Sequence, residues 1–141
     1  MSTLSETSTL LISALDEIEA ESSLITQYFT FFNEGKFQQV SQLFSDDGQL
    51  YPPFEEAVVG PEAIATYLFK EADGMNAEPK KAELMASDSG NSKITVQGKV
   101  TALVFKVNVG WEFYITSDHR IQSVRVNLLA GLEELIKLRP A

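Results

Sequence analysis

The sequence lacks cysteine entirely, and its 141 residues include a single tryptophan and a single histidine. Without cysteine there are no disulfides, no thiolate nucleophile and no cysteine-ligated metal. A cysteine-free chain is compatible with a reducing compartment, and we expect a cytoplasmic location. Basic residues are also few, because 11 lysines and arginines face 20 acidic residues, for a net charge of -9. This charge opposes binding to phosphate backbones, so we expect no nucleic-acid partner.

Long apolar runs are absent too, so no segment is expected to span a bilayer. Residues 1–21 have no basic start and no cleavable apolar core, so we expect no signal peptide. This stretch is Ser/Thr-rich and then amphipathic, which predicts an N-terminal extension with a short helix. Its apolar stripe consists of Leu11, Ala14, Leu15 and Ile18. With 44% hydrophobic residues, the remainder, 22–141, is enough for one core and one domain.

Helical periodicity dominates the first half of the chain. It predicts a helix from Ser22 or Ser23 to about Asn33, which stops at Gly35. The other predicted elements of this half are a helix over Phe37–Phe44, a turn over Ser45–Gly48, a short strand over Gln49–Tyr51 that Pro52 ends, and a helix that opens at Gly60-Pro61-Glu62 and closes at Gly74.

After Gly74 the period changes to that of strands. The predicted strands are Ala77–Ala86, Lys93–Phe105, Val107–Thr116 and Ile121–Leu128, with breaks at 87–91, near Lys106 and at 117–120. A last helix is predicted over Leu132–Leu138. Helices followed by an antiparallel meander indicate an α+β fold with one curved sheet packed on the helices.

Tyr28 and Trp111 each combine an apolar stripe with a hydrogen-bond donor. Tyr28 shares a helical face with Leu24, Phe31 and Phe32. Trp111 lies in 107–115, where a period of two places every second residue on one strand face. Two interpretations stay open from the residues alone. Either both side chains are core aromatics bonded to nearby backbone carbonyls, or both are neutral donors at the end of an apolar pocket.

Several motifs together resemble a known family. They are Tyr28-Phe29, the run Phe32 to Phe37, Leu43 to Gly48, Pro52-Pro53-Phe54-Glu55, Val59-Gly60, Lys93 to Val100, Asn108-Val109, Trp111-Glu112-Phe113 and Leu128-Leu129-Ala130. Over about residues 23–138 the chain is similar to the C-terminal domain of the cyanobacterial orange carotenoid proteins, which has the nuclear transport factor 2-like cone fold. The helical domain of that family has no counterpart in this sequence, so the resemblance implies a stand-alone homolog of the C-terminal domain.

The resemblance also implies a ligand and its site. In that family a tyrosine and a tryptophan that match Tyr28 and Trp111 donate to the 4-keto oxygen of a bound ketocarotenoid, such as canthaxanthin or echinenone. A conjugated ketone fits an apolar pocket with few placed donors. The expected apolar wall consists of Ile64, Leu68, Met75, Val100, Val107, Val109, Phe113, Val124 and Val126.

Other implications concern partners. We expect non-enzymatic carotenoid binding and transfer, with photoprotection by singlet-oxygen quenching as a related role. The expected partners are a second copy that shares one carotenoid, helical carotenoid-binding proteins as pigment donors or acceptors, and a membrane contacted only transiently during uptake. Glu71 matches an acidic residue that pairs with an arginine of the helical domain. Helix 132–138 resembles the tail that opens or closes the carotenoid entrance. At Leu103-Val104-Phe105 the family tryptophan is missing, which weakens the contact with a helical domain.

Two other functional classes remain open, since the same cone houses ketosteroid isomerases and polyketide cyclases. Such enzymes add a carboxylate or histidine base to their carbonyl-polarising donors. The candidates are poor, because His119 is expected in an exposed turn and Glu112 on the strand face opposite Trp111. Asp46 and Asp47 fit a turn, and Glu55 and Glu56 follow the prolines at the expected rim. The third class is a ligand-free dimeric adaptor.

Overall fold

The structure of the protein, a computed structural model, describes residues 19–129. Its helices are α1 (Glu19–Asn33), α2 (Phe37–Ser41) and α3 (Pro61–Glu71). Helix α1 buries Leu24, Ile25, Tyr28 and Phe29, which recur at the spacing of one helical face. It ends before Gly35, whose positive φ of 72° reverses the chain at little steric cost. Helix α3 has Pro61 at its start, as predicted.

The strands form one sheet that curves around these helices. They are β1 (Phe44–Tyr51), β2 (Val58–Val59), β3 (Asn76–Asp88), β4 (Asn91–Ala102), β5 (Phe105–Ile115) and β6 (Ile121–Leu128). The 6-stranded sheet has the order β2-β1-β6-β5-β4-β3. The α+β class is confirmed, with one difference from the prediction. Strand β1 pairs with β6 in parallel, so the sheet is mixed rather than purely antiparallel.

The core lies between α1, α3 and the concave face of the sheet. On β5 the side chains of Val109, Trp111, Phe113 and Ile115 are buried, whereas Tyr114 is exposed. The predicted alternation along this strand is therefore confirmed. Cross-strand neighbours continue the same layer, because Val96 lies opposite Trp111 on one side and Val126 on the other.

Two helix ends differ from the prediction. Helix α1 begins at Glu19, so neither Ser22 nor Ser23 is its cap, and the Ser23 hydroxyl instead accepts a bond from Gln27 inside the helix. Helix α2 ends at Ser41, whose hydroxyl donates to the carbonyl of Gln38. The serine side chains thus bond within the helix, as serines often do near helix ends.

The predicted turn at 45–48 is wrong. These residues belong to β1, and the pairing with β6 shifts between Phe44 and Gln49, which indicates a bulge. Pairing with β6 keeps this segment extended, although the Ser45 hydroxyl has an acceptor in Asp47 nearby as well as in Gln122 of β6. The break near Lys106 is also displaced. Lys106 pairs with Thr101, and β4 and β5 are joined at Leu103, which has a positive φ of 55°.

Other predictions fall on residues outside 19–129. They include the amphipathic helix of the first residues and the helix over 132–138, and the division into 1–21 and 22–141 stays a prediction. Within 19–129, no helix is long and apolar enough to cross a lipid bilayer.

Candidate functional site

An apolar cavity of about 210 Å³ lies between the concave face of the sheet and helices α1 and α3. Its mouth is at one end of the strands, where β1, β4 and β6 end and β3 and β5 begin. Pro52 and Pro53 close the end of β1 there, and Ala102 lines the end of β4. Loops from distant parts of the chain therefore surround one opening at this end of the sheet.

Most of the predicted apolar wall lines this cavity. Helix α3 and the turn after it contribute two of the predicted residues, and the three central strands contribute four. These residues are Leu68, Met75, Val100, Val107, Val109 and Val126. Their side chains leave the cavity surface mostly carbon, which suits an apolar ligand.

Three predicted wall residues do not line the cavity. Ile64, Phe113 and Val124 have no exposed side-chain surface and belong to the core. Phe113 and Val124 pair with each other across β5 and β6, farther from the mouth than Val109 and Val126. They have the inward orientation that the pattern predicts, but the ring of Tyr28 packs on Phe113 at 5.1 Å between centroids. The core beneath the cavity is thus already filled.

Tyr28 and Trp111 both line the cavity, with 2% and 4% of their surface exposed. Phe29 lies between them in the aromatic cluster, since it packs edge-on to Tyr28 at 5.2 Å and edge-on to Trp111 at 4.8 Å. Edge-to-face contacts of this kind hold ring orientations as well as burying area. The helix and the strand therefore present a phenol and an indole to the same space in fixed orientations.

Neither donor is engaged by a described neighbour. Among residues 19–129, the Tyr28 hydroxyl and the Trp111 indole N–H donate no hydrogen bond to another side chain or to a backbone carbonyl. The interpretation of two core aromatics bonded to nearby carbonyls thus finds no acceptor in this part of the chain. Unpaired donors on the wall of an apolar cavity favour a ligand that carries an acceptor.

Burial also fixes the protonation of the tyrosine. Removal from water raises the pKa of the Tyr28 hydroxyl above its usual value of about 10. The hydroxyl is therefore a neutral donor at any physiological pH. The indole N–H can only donate, and the neutral phenol can donate as well, so both groups can polarise a ligand oxygen that comes within reach of them.

A polar pair at the mouth is not among the residues that the sequence patterns predict. Tyr67 of α3 lines the cavity, and its hydroxyl donates to Glu55 Oε2 at 2.9 Å. This bond ties the loop after Pro53 to the helix. Burial, together with the Glu55 carboxylate, raises the pKa of the Tyr67 hydroxyl. The spacing of Tyr67 and Leu68 with Glu71 and Ala72, one helical turn apart, was the signal that could have identified this wall.

Glu71 lines the cavity as well, and it is exposed. The other acid-base candidates lie elsewhere. His119 is exposed in the turn between β5 and β6, 3.9 Å from Glu21, at the opposite edge of the sheet. Glu112 is on the outer face, where it contacts Lys93 at 3.6 Å and accepts a bond from Asn127. Asp46 and Asp47 are exposed on β1. In the part of the chain that is described, no three metal-ligating side chains cluster.

Known proteins share this architecture. The chain is 31% identical over 120 residues to the orange carotenoid-binding protein of Limnospira maxima, a match that covers 82% of this chain and 38% of that protein. It superposes on the Anabaena orange carotenoid protein binding canthaxanthin with a TM-score of 0.73 and 30% identity, over 82% of this chain and 39% of the other. The chain therefore spans less than two fifths of these relatives, in the region of their C-terminal domain.

A more distant structure shows how widely the fold is shared. A putative polyketide cyclase from Xanthomonas campestris has a TM-score of 0.62 at 17% identity, over 84% of this chain and 96% of that one. This similarity concerns the fold alone. Residues 21–124 match the nuclear transport factor 2 domain. The predicted cone fold is therefore confirmed, and the chain belongs to the nuclear transport factor 2 (NTF2) domain family.

Proposed function

We propose that the protein binds a ketocarotenoid, such as canthaxanthin or echinenone, and passes it to other proteins without catalysing a reaction. The observation that carries the proposal is the pair of neutral donors, Tyr28 and Trp111, on the wall of an otherwise apolar cavity. A ketocarotenoid offers one strong acceptor at the end of a long hydrocarbon body. The similarity to orange carotenoid proteins supports the same ligand class.

The size of the cavity indicates how such a ligand is held. At about 210 Å³ it is smaller than the roughly 300–1,000 Å³ of sites that enclose a whole drug-sized ligand. We expect the keto-bearing ring to occupy the cavity and the polyene to extend out through the mouth. A ligand held by one end is accessible to a second protein, which suits a carrier. Bound polyene also quenches singlet oxygen, and we include this photoprotective role in the proposal.

The exposed polyene requires a cover in water. We propose that two copies meet mouth to mouth on one carotenoid, and that helical carotenoid-binding proteins replace one copy during transfer. Light scattering of the apo and carotenoid-bound forms tests the first part. A holoprotein that stays monomeric at every concentration would contradict the shared ligand.

An enzyme of the isomerase or cyclase type needs a base next to the polarised carbonyl. The carboxylate on the cavity wall, Glu71, is exposed rather than held against the two donors. We therefore place catalysis second to binding. If Glu71→Gln abolished the turnover of a steroid or polyketide by the colourless protein, the order would be reversed.

The direct experiment is titration of the apoprotein with canthaxanthin and, in parallel, with β-carotene, which has the same polyene without keto groups. We expect a coloured complex with canthaxanthin and severalfold weaker binding of β-carotene. Equal affinity for both would remove the role of the donors, and no complex with either would remove the carotenoid itself.

A further inference from the structure

The mouth of the cavity carries large apolar side chains that face water. The hairpin between β4 and β5 has Leu103 and Val104 at its tip, exposed by 93% and 89%, followed by the partly exposed Phe105. On the other side of the opening, Phe54 is 88% exposed in the loop after Pro53. Water-facing residues of this size normally occur singly. Here three consecutive residues project from one hairpin, which we call the rim tip.

The backbone has strained φ angles at two residues of the mouth, one in the rim tip and one in the loop after Pro53. Leu103 has a φ of 55° and Phe54 a φ of 63°, in the left-handed region that bulky side chains rarely adopt. Glycine or asparagine would form either turn at lower cost. Leucine and phenylalanine at these positions therefore lower local stability, but each places an apolar side chain at the mouth. Such strain is typical of functional surfaces.

We propose that the rim tip, Leu103, Val104 and Phe105, inserts into the surface of a neutral lipid bilayer and places the cavity mouth against the lipid. This inference rests on the proposed function, because a carotenoid dissolves in bilayers and not in water. Ala102 and Val107, on either side of the tip, line the cavity. A carotenoid ring that leaves the bilayer along the tip thus reaches the cavity wall without crossing water.

Charge selects the kind of bilayer. Lys99 and Lys106 are exposed on the outer face of β4 and β5 near the tip, and the carboxylates of Glu55 and Glu71 are exposed at the same mouth, so this end of the molecule presents both signs of charge. The chain as a whole carries a net charge of -9, which repels an anionic surface. A zwitterionic membrane satisfies both conditions. The tip is also too narrow to form alone a stable protein interface, which requires roughly 800 Å² per partner.

The test is flotation of the apoprotein with phosphatidylcholine vesicles. The variant Leu103→Asn/Val104→Ser removes the apolar tip, and asparagine tolerates the left-handed backbone, so folding is retained. Its partition into vesicles should fall about tenfold or more. Met85→Ser is the matched control, because Met85 is exposed on β3 away from the mouth. It should bind vesicles like the wild type. Val104→Asp alone is a second variant with an unaltered Leu103.

Loading experiments separate this inference from the proposed function. From canthaxanthin in vesicles the tip variant should load about tenfold more slowly than the wild type, and from detergent micelles it should load equally well. A wild type that does not float, or a tip variant that floats equally, overturns the inference and leaves carotenoid binding intact. A tip variant that loses dimerisation but keeps its vesicle affinity also overturns it. If the wild type does not take up canthaxanthin from detergent micelles, the proposed function is contradicted. The flotation experiment still tests separately whether the rim tip inserts into the bilayer.

Discussion

Asn33 and Ala77 exchange two hydrogen bonds although 44 residues separate them in the chain. The Asn33 amide donates to the Ala77 carbonyl at 2.8 Å and accepts from the Ala77 N–H at 2.7 Å. The side chain of the last residue of α1 thus forms the two hydrogen bonds that a neighbouring strand would form with the start of the edge strand β3. Because α1 carries Tyr28, this contact also fixes the helix over the cavity.

Asn33→Ala should lower the free energy of unfolding by about 1–3 kcal/mol, because it leaves two backbone groups of the buried Ala77 without their partner. Urea denaturation measures the change. Asn76→Ala is the control, since Asn76 is exposed and its side chain bonds to no other described residue. Equal effects of the two substitutions would mean that the paired geometry contributes nothing.

A second stability prediction concerns Gly98 in β4. A Cβ atom there would meet the Pro79 Cα at 2.8 Å, where the bulge in β3 brings the edge strand close. Backbone cannot move aside as a side chain can, so Gly98→Ala should cost about 1–3 kcal/mol. Gly110→Ala is the control, because its Cβ would meet only the Leu129 side chain at 3.4 Å. Thermal unfolding should separate the two variants clearly.

The sequence is sufficient to predict the strands that carry the site. The period of two along β5 persists in the structure because one face is sealed by α1 and the other faces water, so a slip by one residue would bury Glu112 and expose Trp111. Tyr28 lies on the inner face of α1 for the same reason, because the other face of the helix is exposed to water. Both predicted donors therefore lie on the cavity wall.

The extent of the cavity could not be predicted in the same way. Val109 and Phe113 have the same inward pattern, and only their distance from the sheet edge separates a wall residue from a core residue. Phe113 is closed off by the ring of Tyr28, a contact between distant parts of the chain that no local pattern shows. Long-range pairing also overrides the Asp-Asp-Gly turn signal at 45–48. Helical spacing could place Tyr67 on the cavity wall, but its bond to Glu55 joins segments that no local pattern connects.

The buried hydroxyl of Tyr28 predicts a loss of stability in alkali. Its pKa is raised in the folded protein, so above about pH 10 the unfolded chain releases a proton that the folded chain keeps. The free energy of unfolding should then fall by about 1.4 kcal/mol per pH unit for this group, and below about pH 10 the group contributes no slope. Tyr28→Phe should flatten the alkaline slope in urea titrations.

The bond between Tyr67 and Glu55 predicts control over ligand exchange. Tyr67→Phe keeps the ring on the cavity wall and releases the loop of Pro52 and Pro53 from α3. Because a net contribution of about 0.5–1.5 kcal/mol is lost, carotenoid should dissociate roughly 2–10-fold faster. Stopped-flow transfer to an acceptor measures the rate. Glu55→Ala removes the acceptor of the same bond and should have the same effect. Unchanged dissociation from both variants would show that the loop is held by its prolines alone.

The last prediction concerns Tyr28 and Trp111 together. If both donate to one keto oxygen, each bond is worth about 0.5–1.5 kcal/mol net, so Tyr28→Phe and Trp111→Phe should each weaken canthaxanthin binding severalfold. Both donors also draw charge toward the oxygen, which lowers the excited state of the polyene, so each substitution should shift the absorption to the blue. Groups that share one acceptor are coupled, and the double variant should differ from the sum of the singles.

β-Carotene is the control ligand, since without a keto group it should bind the wild type and both single variants with similar affinity. Absorption spectra and affinities of the four proteins with the two carotenoids complete the cycle. If β-carotene binds the wild type as tightly as canthaxanthin, and both single variants keep the wild-type spectrum, Tyr28 and Trp111 are core aromatics and the donor pair does not exist.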